Sequence, residues 1–263
     1  MGMGRAIAIA SQKGGVGKTT TAINLGACMA QESRKVLLID LDPQSNATSG
    51  LGFGGNDRPA GTYEALIGSV SPADAVVTTP LANMDLMPSG QRLSGAEVEL
   101  VGIDGWETRL RMVIGALKPQ YDYIFIDGPP SLGLLTVNAL VASDSVLIPL
   151  QCEYLALEGL TQLLSAIRRV QERLNPGLRI EGVLLTMYDA RLNLSQQVAD
   201  EAQRFFSDRV YRSVIPRNVR LSEAPSFGKQ IVLYDPNSTG AESYRSLAKE
   251  VIERAEESAG ARA

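Results

Sequence analysis

The stretch that decides the fold is Lys13-Gly14-Gly15-Val16-Gly17-Lys18-Thr19-Thr20. An apolar run, Ala6–Ala10, precedes it, and a helical pattern follows it to about Gln31. A strand, a glycine-rich loop and a helix in this order are the context that a phosphate-binding loop requires. Glycines let backbone N–H groups turn towards phosphate oxygens without Cβ clashes, and the start of the helix adds unpaired N–H groups. We therefore predict that this stretch binds a nucleotide.

Two side chains of the loop have predicted roles. Lys18 would bring a positive charge to the β- and γ-phosphates, and the Thr19 hydroxyl is suited to Mg²⁺. The loop departs from the common G-x-x-x-x-G-K-[ST] pattern, because Gln12 stands where the first glycine would be and a second lysine, Lys13, follows it. The alternative is a glycine-rich turn with a surface lysine, which the agreement between motif and context disfavours.

Two further apolar runs end in carboxylates. Asp40 and Asp42 follow the run Val36–Ile39, and the alternation of a strand would place both on one side, about 7 Å apart. Asp127 follows the run Tyr123–Ile126, which is the form of a Walker B site whose aspartate binds Mg²⁺ through water. The carboxyl ends of strands line the ligand crevice of open α/β sheets. Behind a phosphate-binding loop these carboxylates are predicted to serve Mg²⁺ and the attacking water, although the first pair alone would equally fit a strand-end turn.

Composition limits the chemistry that the chain can perform. The sequence has 263 residues, no histidine, two cysteines and a net charge of −4. Without histidine, acid–base catalysis falls to Asp, Glu, Lys or a water molecule that they orient. Cys28 and Cys152 have neither the spacing of a zinc site nor that of a disulfide framework. The sequence has no run of about 18 apolar residues, so we predict no membrane span. We expect one cytoplasmic domain that covers residues 1–263.

Short apolar runs alternate with helical patterns along the chain, which predicts βαβ units. Each strong run is apolar on both faces of its pleat, as a sheet covered on both sides requires. The predicted fold is α/β, a doubly wound, mostly parallel twisted sheet flanked by helices. The predicted strands are Ala6–Ala10, Val36–Ile39, Met84–Met87, Tyr123–Ile126, Val146–Leu150, Val183–Thr186 and Val214–Ile215.

Two helices and one loop complete this outline. Apolar residues at helical spacing predict helices over about Ala156–Leu174 and about Ala241–Glu257. Residues 43–62 are rich in Gly, Ser, Asn and Pro, which predicts a mobile loop.

Four segments resemble the signatures of one family. The loop with its extra lysine is similar to the deviant Walker A loop of the ParA/MinD group of ATPases. The segments Asp40–Thr48, Gln151–Gly159 and Ile215–Ser226 resemble signatures of the ParA/Soj chromosome-partitioning ATPases within that group. The resemblance covers most of the chain, and it implies a deviant P-loop NTPase fold and an ATP-driven switch.

The resemblance implies a functional cycle. ATP and Mg²⁺ would hold two copies of the chain together as a sandwich homodimer, in which Lys13 of each copy reaches the phosphates of the other. This dimer would bind double-stranded DNA of the bacterial nucleoid without sequence preference. A ParB-type centromere-binding protein would stimulate slow hydrolysis to ADP, and hydrolysis would release the DNA.

The resemblance also implies roles for individual residues, with Asp42 positioning the attacking water. The implied catalytic residues are Lys13, Lys18 and Asp42, and the implied metal-shell residues are Thr19, Asp40 and Asp127. The implied nucleotide-binding residues are those of the loop, Lys13, Gly14, Gly15, Val16, Gly17, Lys18, Thr19 and Thr20, and, around adenine, Met187, Pro216, Arg217 and Asn218.

A charge count favours DNA binding by one part of the chain. Residues 203–230 include six positive and two negative side chains, a balance of +4 in a chain of net charge −4. Because screening at physiological salt limits the remaining acidic surface to a range of about 8 Å, a local patch of arginines can still bind phosphates. The alternative is an ordinary solvated face. The candidate DNA contacts are Arg191, Arg217, Arg220 and Lys229.

Related functions remain as alternatives. A MinD-type membrane switch should end in a basic amphipathic helix, whereas residues 250–263 have a balance of −2 that anionic lipid would repel. We therefore expect no membrane binding. A metabolic ATP-dependent synthetase on the same fold would require a small molecule for turnover. An electron-transfer ATPase would need cluster thiolates at positions that the two cysteines do not match.

Overall fold

The computed structural model describes residues 4–54, 60–153 and 156–260, apart from the side chains at 97, 156–158, 259 and 260. Within these residues, one sheet of eight strands forms the centre of the fold, in the order β3-β4-β2-β5-β1-β6-β7-β8. The β3–β4 pair is antiparallel, and the other neighbouring pairs are parallel. The strands are β1 (Arg5–Ile9), β2 (Val36–Asp40), β3 (Val77–Thr78), β4 (Met84–Met87), β5 (Tyr123–Asp127), β6 (Ser145–Gln151), β7 (Arg179–Tyr188) and β8 (Ile215–Pro216).

Helices cover both faces of this sheet. Among the described residues, no helix is both long enough and apolar enough to span a lipid bilayer. Short 3-10 turns occupy Trp106–Thr108, Lys118–Gln120, Ser207–Arg209 and Ala224–Phe227. The α-helices are α1 (Lys18–Gln31), α2 (Asn46–Gly50), α3 (Thr62–Ile67), α4 (Leu93–Val101), α5 (Arg109–Leu117), α6 (Leu134–Ala142), α7 (Ala156–Arg173), α8 (Asn193–Phe206), α9 (Val219–Glu223), α10 (Ile231–Tyr234) and α11 (Thr239–Gly260).

Alternate residues of the central strands enter two separate cores. In β1, Ala6 and Ala8 belong to a core shared with helices α3 to α8. Ile7 and Ile9 belong to the opposite core, which contains α1, α2, α10 and α11. Because successive side chains of a strand point to opposite faces, a sheet between two cores requires apolar residues at every position. This explains why the strand runs lack the polar alternation of a half-exposed sheet.

The predicted sheet and its doubly wound arrangement are confirmed. Each predicted strand is present, with β1 and β8 shifted by one residue and with β2, β5, β6 and β7 longer than predicted. The helices predicted near Ala156–Leu174 and Ala241–Glu257 are α7 and α11. The sequence did not indicate β3, because two residues are too few to show a periodic pattern. Residues 154 and 155 of the Gln151–Gly159 signature lie outside the described residues.

The prediction of a mobile loop over residues 43–62 is wrong for its first half. Residues Asn46–Gly50 form α2, in which Ala47 and Thr48 are completely buried. The backbone N–H and hydroxyl of Thr48 both donate to the buried Asp40 carboxylate, at 2.8 and 2.6 Å. The polar composition of this segment therefore reflects a tight turn onto a buried carboxylate. Residues 55–59 lie outside the described part of the chain.

Glu250 fastens the last helix to the edge of the sheet. Its side chain, on α11, is almost completely buried and accepts hydrogen bonds from the backbone N–H groups of Arg212 and Ser213, both at 2.9 Å. Arg254 donates a third bond at 2.8 Å. Burial alone would raise the pKa of Glu250, but these donors outweigh it, and the pKa lies below its usual value.

We expect Glu250→Gln to lower the free energy of unfolding at pH 7 by about 1–3 kcal/mol, because one buried N–H group loses its acceptor. A depressed pKa stabilises the fold above the pKa of the unfolded chain, so the difference should shrink as the pH falls below about 4. Urea unfolding at several pH values measures this. The exposed neighbour Glu253, changed to Gln, is the control. A deficit that stays constant down to pH 3 would contradict the assigned role of the charge.

Candidate nucleotide-binding site

The carboxyl ends of the central strands bring the predicted site residues together. In the register of the sheet, Asp127 at the end of β5 lies beside Ile9 of β1 on one side and Asp40 of β2 on the other. Neighbouring strands lie about 4.8 Å apart, and the phosphate-binding loop begins directly after β1. The loop and both carboxylates therefore share one edge of the sheet.

Asp127 is a buried carboxylate that the protein leaves unsatisfied. It has no exposed surface, and within the described residues neither of its carboxylate oxygens has a hydrogen-bond partner. Burial, followed by the nearby Asp40 charge, raises its pKa well above the usual range, while the neighbouring Thr19 hydroxyl and Lys18 ammonium act in the opposite direction. Buried polar atoms without a partner are uncommon in folded proteins, and a binding or catalytic role is one reason for them.

This arrangement fits Mg²⁺. Magnesium is commonly held by one or two carboxylates together with substrate phosphates and water, rather than by a cage of protein ligands. No three acidic, Cys or His side chains of the described residues converge to hold a metal ion by themselves. Asp127, with the Thr19 hydroxyl, is the group that would hold the ion, whose charge would offset that of the phosphates.

The loop has the backbone conformation that its glycines allow. Gly15 and Gly17 have φ angles of 75° and 87°, in the left-handed region that other residues rarely adopt. Gly17 is also the N-cap of α1, so the unpaired N–H groups of the first helical turn follow it directly. The Thr186 hydroxyl of β7 donates to the Val16 carbonyl at 2.9 Å and holds the loop against the sheet.

Lys18 is buried in the loop and is 7% exposed. Its ammonium group donates to the Lys13 carbonyl at 3.4 Å, so the loop closes around its own lysine. Burial lowers the pKa of Lys18, whereas Asp127 and Asp42 favour its charged form. The lysine therefore sits where an anion placed in the loop would meet a positive charge.

Asp40 and Asp42 have different surroundings. Both oxygens of Asp40 accept bonds from the protein, one from the Asp42 backbone N–H at 3.1 Å and the other from Thr48. Asp42 follows the end of β2, and its carboxylate accepts a bond from the Gln44 N–H at 2.9 Å. Asp42 also lines the cleft beside the loop. The predicted water-positioning residue is therefore at the cleft, whereas Asp40 lies behind it.

An open cleft of about 520 Å³ adjoins the phosphate-binding loop. Gly14, Gly15 and Gly17–Thr20 form one end of it, and Met187 lines it from the end of β7. Met187 has a φ of 51°, at the point where the pairing of β7 with β8 shifts by one residue. A non-glycine residue in this conformation costs free energy and is often found at functional sites.

The other residues predicted to contact adenine do not line this cleft. Pro216 pairs with Tyr188 at the edge of the sheet. Asn218 caps α9 by accepting from the Leu221 N–H, and its amide donates to Thr239. Of the four predicted residues, Met187 lines the cleft, and Arg217 shares Glu153 with the loop residue Lys13. The adenine contacts remain a prediction.

Lys13, the extra lysine of the loop, is half-exposed. Its ammonium lies 3.8 Å from the carboxylate of Glu153, which also lies 3.4 Å from the Arg217 guanidinium. Exposed ion pairs of this length contribute little to stability. Lys13 is therefore free to exchange this partner for a phosphate.

The positive residues of the 203–230 window do not form one patch. Arg209 and Arg212 line a cleft at the amino ends of the strands, together with Arg5 and Asp144. Arg212 also pairs with Glu250 and Glu253, which lie outside the window. The count of +4 therefore overstates the local charge, because a linear window mixes both ends of the sheet.

The four candidate DNA contacts do lie towards the carboxyl ends of the strands. Arg191 follows β7, Arg217 follows β8, and Lys229 lines the cleft beside the loop. Arg191 is 88% exposed and pairs with Asp189, while Arg220 of α9 pairs with Glu223. These cations and the nucleotide cleft therefore share one end of the molecule.

Sequence reasoning missed several residues of the cleft. They come from two helices and from the segment after α9, and they are Asn24 of α1, Asn46 and Ser49 of α2, and Pro225, Ser226 and Lys229. Lys229 was predicted to contact DNA but not to line the cleft. The signatures Asp40–Thr48 and Ile215–Ser226 contain Asn46, Pro225 and Ser226 and could have indicated them. Asn24 gave no such signal, because a polar residue inside a helix has no distinctive pattern.

Comparisons with known proteins agree with this geometry. The family described as AAA domain matches residues 4–180. The sporulation initiation inhibitor protein Soj of Bacillus subtilis is 59% identical over 95% of this chain and 98% of its own. The chromosome partitioning protein ParA of Myxococcus xanthus is 54% identical over 96% of this chain and 89% of its own.

The chain belongs to the ParA/Soj family of chromosome-partitioning ATPases. This confirms the predicted family, fold and ATPase activity. Among solved structures, cobyrinic acid a,c-diamide synthase from Mycobacterium smegmatis, with bound ADP and magnesium, has a TM-score of 0.85. It is 38% identical and covers 97% of this chain and 96% of its own.

We expect Asp127→Asn to make the ligand-free protein more stable by about 1 kcal/mol, because the change replaces a carboxyl group whose charged form is unfavourable when buried beside Asp40. Mg²⁺ and ATP together should raise the melting temperature of the unaltered chain, but they should raise that of the variant much less. Calorimetry with and without ligands measures both effects. Asp104→Asn, at an exposed carboxylate, should change neither. A less stable variant with a normal ligand response would make Asp127 a structural residue.

Proposed function

We propose that this chain is a DNA-segregation switch whose ATP-bound homodimer binds DNA without sequence preference. The observation that carries the proposal is the unsatisfied Asp127 carboxylate beside Lys18, in a chain 59% identical to Soj of Bacillus subtilis. ATP and Mg²⁺ are the cofactors that complete this site. Thr19 and Asp127 hold the metal, and Lys18 with the loop N–H groups binds the phosphates.

Hydrolysis relies on Asp42 in this proposal. With no histidine in the chain, a carboxylate at the cleft is the group suited to orient the attacking water. Asp42 has this position, whereas Asp40 has both oxygens occupied by protein donors. Hydrolysis is slow until a ParB-type centromere-binding protein acts on the complex.

The proposed dimer follows from the position of Lys13. Its ammonium pairs with Glu153, and its side chain is 45% exposed. If a second copy were placed across the loop, the Lys13 ammonium of the first copy would contact the phosphates of the nucleotide bound to the second. ATP would then form part of the interface, and hydrolysis would weaken it.

DNA binding is assigned to cations at the carboxyl ends of the strands, Arg191, Arg217, Arg220 and Lys229. They lie at the end of the molecule that carries the nucleotide cleft, so one dimer would present two sets of them. Doubling the phosphate contacts couples DNA affinity to ATP, because affinity depends steeply on the number of counterions released. Such a protein would be found on the nucleoid, in the cytoplasm.

The alternatives have weaker support. The solved synthetase is 38% identical to this chain, whereas the Soj and ParA relatives are 59% and 54% identical. A membrane switch has little support from α11, whose exposed carboxylates would be repelled by anionic lipid. If the chain were a synthetase, its rate of ATP hydrolysis would depend on a small-molecule substrate and would not change with DNA.

The test is DNA binding by fluorescence anisotropy with a slowly hydrolysed ATP analogue, with ADP and without nucleotide, at two salt concentrations. We expect tight binding only in the ATP state, with a steep fall as salt increases. Arg191→Ala should weaken binding and lower the salt slope by about two for the dimer, one for each copy.

The matched control is Arg179→Ala, because Arg179 is exposed at the amino end of β7, away from the cleft. It should leave DNA affinity almost unchanged. Equal DNA affinity in all three nucleotide states would contradict the switch. An equal loss from both variants would mean that DNA binding has no defined face.

A further inference from the structure

A buried hydrogen-bond network connects Asp40 to the loop that carries Asp42. The Asp40 carboxylate accepts from the Thr48 N–H at 2.8 Å, from the Thr48 hydroxyl at 2.6 Å and from the Asp42 N–H at 3.1 Å. The same Thr48 hydroxyl accepts from the Ser89 N–H at 2.8 Å. The Ser89 hydroxyl then donates to the Asp42 carbonyl at 2.7 Å. The chain of bonds therefore starts and ends on the Asp42 backbone.

This network is shielded from solvent. Asp40 and Thr48 have no exposed surface, and Ser89 is 3% exposed. Hydrogen bonds in such surroundings are stronger than in water, and bonds to a charged acceptor are stronger still. A third element joins it, since the Thr62 hydroxyl at the start of α3 donates to the Asp40 carbonyl at 2.8 Å.

The bonds hold Asp42 from both sides. Its N–H is fixed by Asp40, and its carbonyl is fixed by Ser89. A backbone unit that is held at its donor and its acceptor has little freedom to rotate. The direction of the Asp42 side chain into the cleft is therefore set by residues that do not themselves line the cleft.

We infer that Asp40, Thr48 and Ser89 form a positioning network that aims the Asp42 carboxylate at the attacking water. The inference rests on the proposed role of Asp42 and replaces the metal-shell role implied for Asp40. Both Asp40 oxygens already accept bonds from the protein, so the residue acts through the backbone of Asp42. Small displacements of an aligned group reduce the rate of a chemical step strongly and affect substrate binding less.

The decisive variant is Thr48→Val, which keeps the shape of the side chain and removes the hydroxyl. We expect kcat for ATP hydrolysis to fall by about tenfold or more, while the Kd for ATP changes by less than about threefold. Thr48→Ser returns the hydroxyl and should recover most of the rate. Thr108→Val is the control, because its hydroxyl donates to the nearby Gly105 carbonyl at 2.8 Å, away from the cleft, and it should leave kcat unchanged.

A double-mutant cycle separates positioning from general damage. In an Asp42→Asn background, adding Thr48→Val should lower the remaining single-turnover rate by less than about twofold, because the network then has no carboxylate to aim. If Thr48→Val does not fold, Ser89→Ala replaces it in the same cycle, since it removes the bond to the Asp42 carbonyl.

The outcomes are distinct. A normal kcat in Thr48→Val, a loss confined to ATP affinity, or equal losses with and without the Asp42 carboxylate would each overturn the positioning network. If Asp42→Asn alone hydrolyses ATP at the normal rate, the proposed role of Asp42 fails, and the network inference fails with it. A defective Asp42→Asn beside a normal Thr48→Val would overturn the inference alone.

Discussion

The constraint on which the rest of the structure depends is the placement of two buried carboxylates on neighbouring strands. The parallel register sets Asp40 directly beside Asp127 at the carboxyl edge of the sheet. Two like charges in such surroundings cannot both be ionised without help. The protein supplies donors to Asp40 through Thr48 and the backbone, and it leaves Asp127 without a partner among the described residues. The fold therefore contains a buried carboxylate whose charge a bound cation would offset.

The residues around these two carboxylates differ in the same way. On one side of the sheet edge, the satisfied carboxylate anchors α2 and the loop that carries Asp42. On the other side, the glycine loop and Lys18 lie beside the unsatisfied carboxylate, in a position to bind an anion. One half of the site is thus built rigidly by the protein, and the other half depends on nucleotide and metal. This division suits a switch, because ligand binding relieves an unfavourable state that folding creates.

Much of this could be predicted from the sequence. The central strands were predictable because a sheet between two cores makes each strand apolar at every position. The loop Lys13–Thr20 and Asp127 were predictable because their chemistry requires fixed residue types at fixed spacing. The edge strand β3 was not predictable because it has only two residues, and the helix α2 was not predictable because it owes its position to buried hydrogen bonds between Thr48 and Asp40. Such contacts, like the split of the 203–230 cations between two ends of the sheet, appear only when the chain is folded.

The central claim is that nucleotide and metal complete a site that extends across two copies of the chain. Sedimentation velocity in saturating Mg²⁺ and a slowly hydrolysed ATP analogue tests it most directly. The unaltered chain should sediment as a dimer with these ligands and as a monomer without them. Lys13→Ala should bind the analogue but remain a monomer, whereas Lys35→Ala, at an exposed lysine at the opposite end of the sheet, should dimerise normally. An unaltered chain that stays monomeric, or a Lys13→Ala variant that dimerises equally well, would contradict the account.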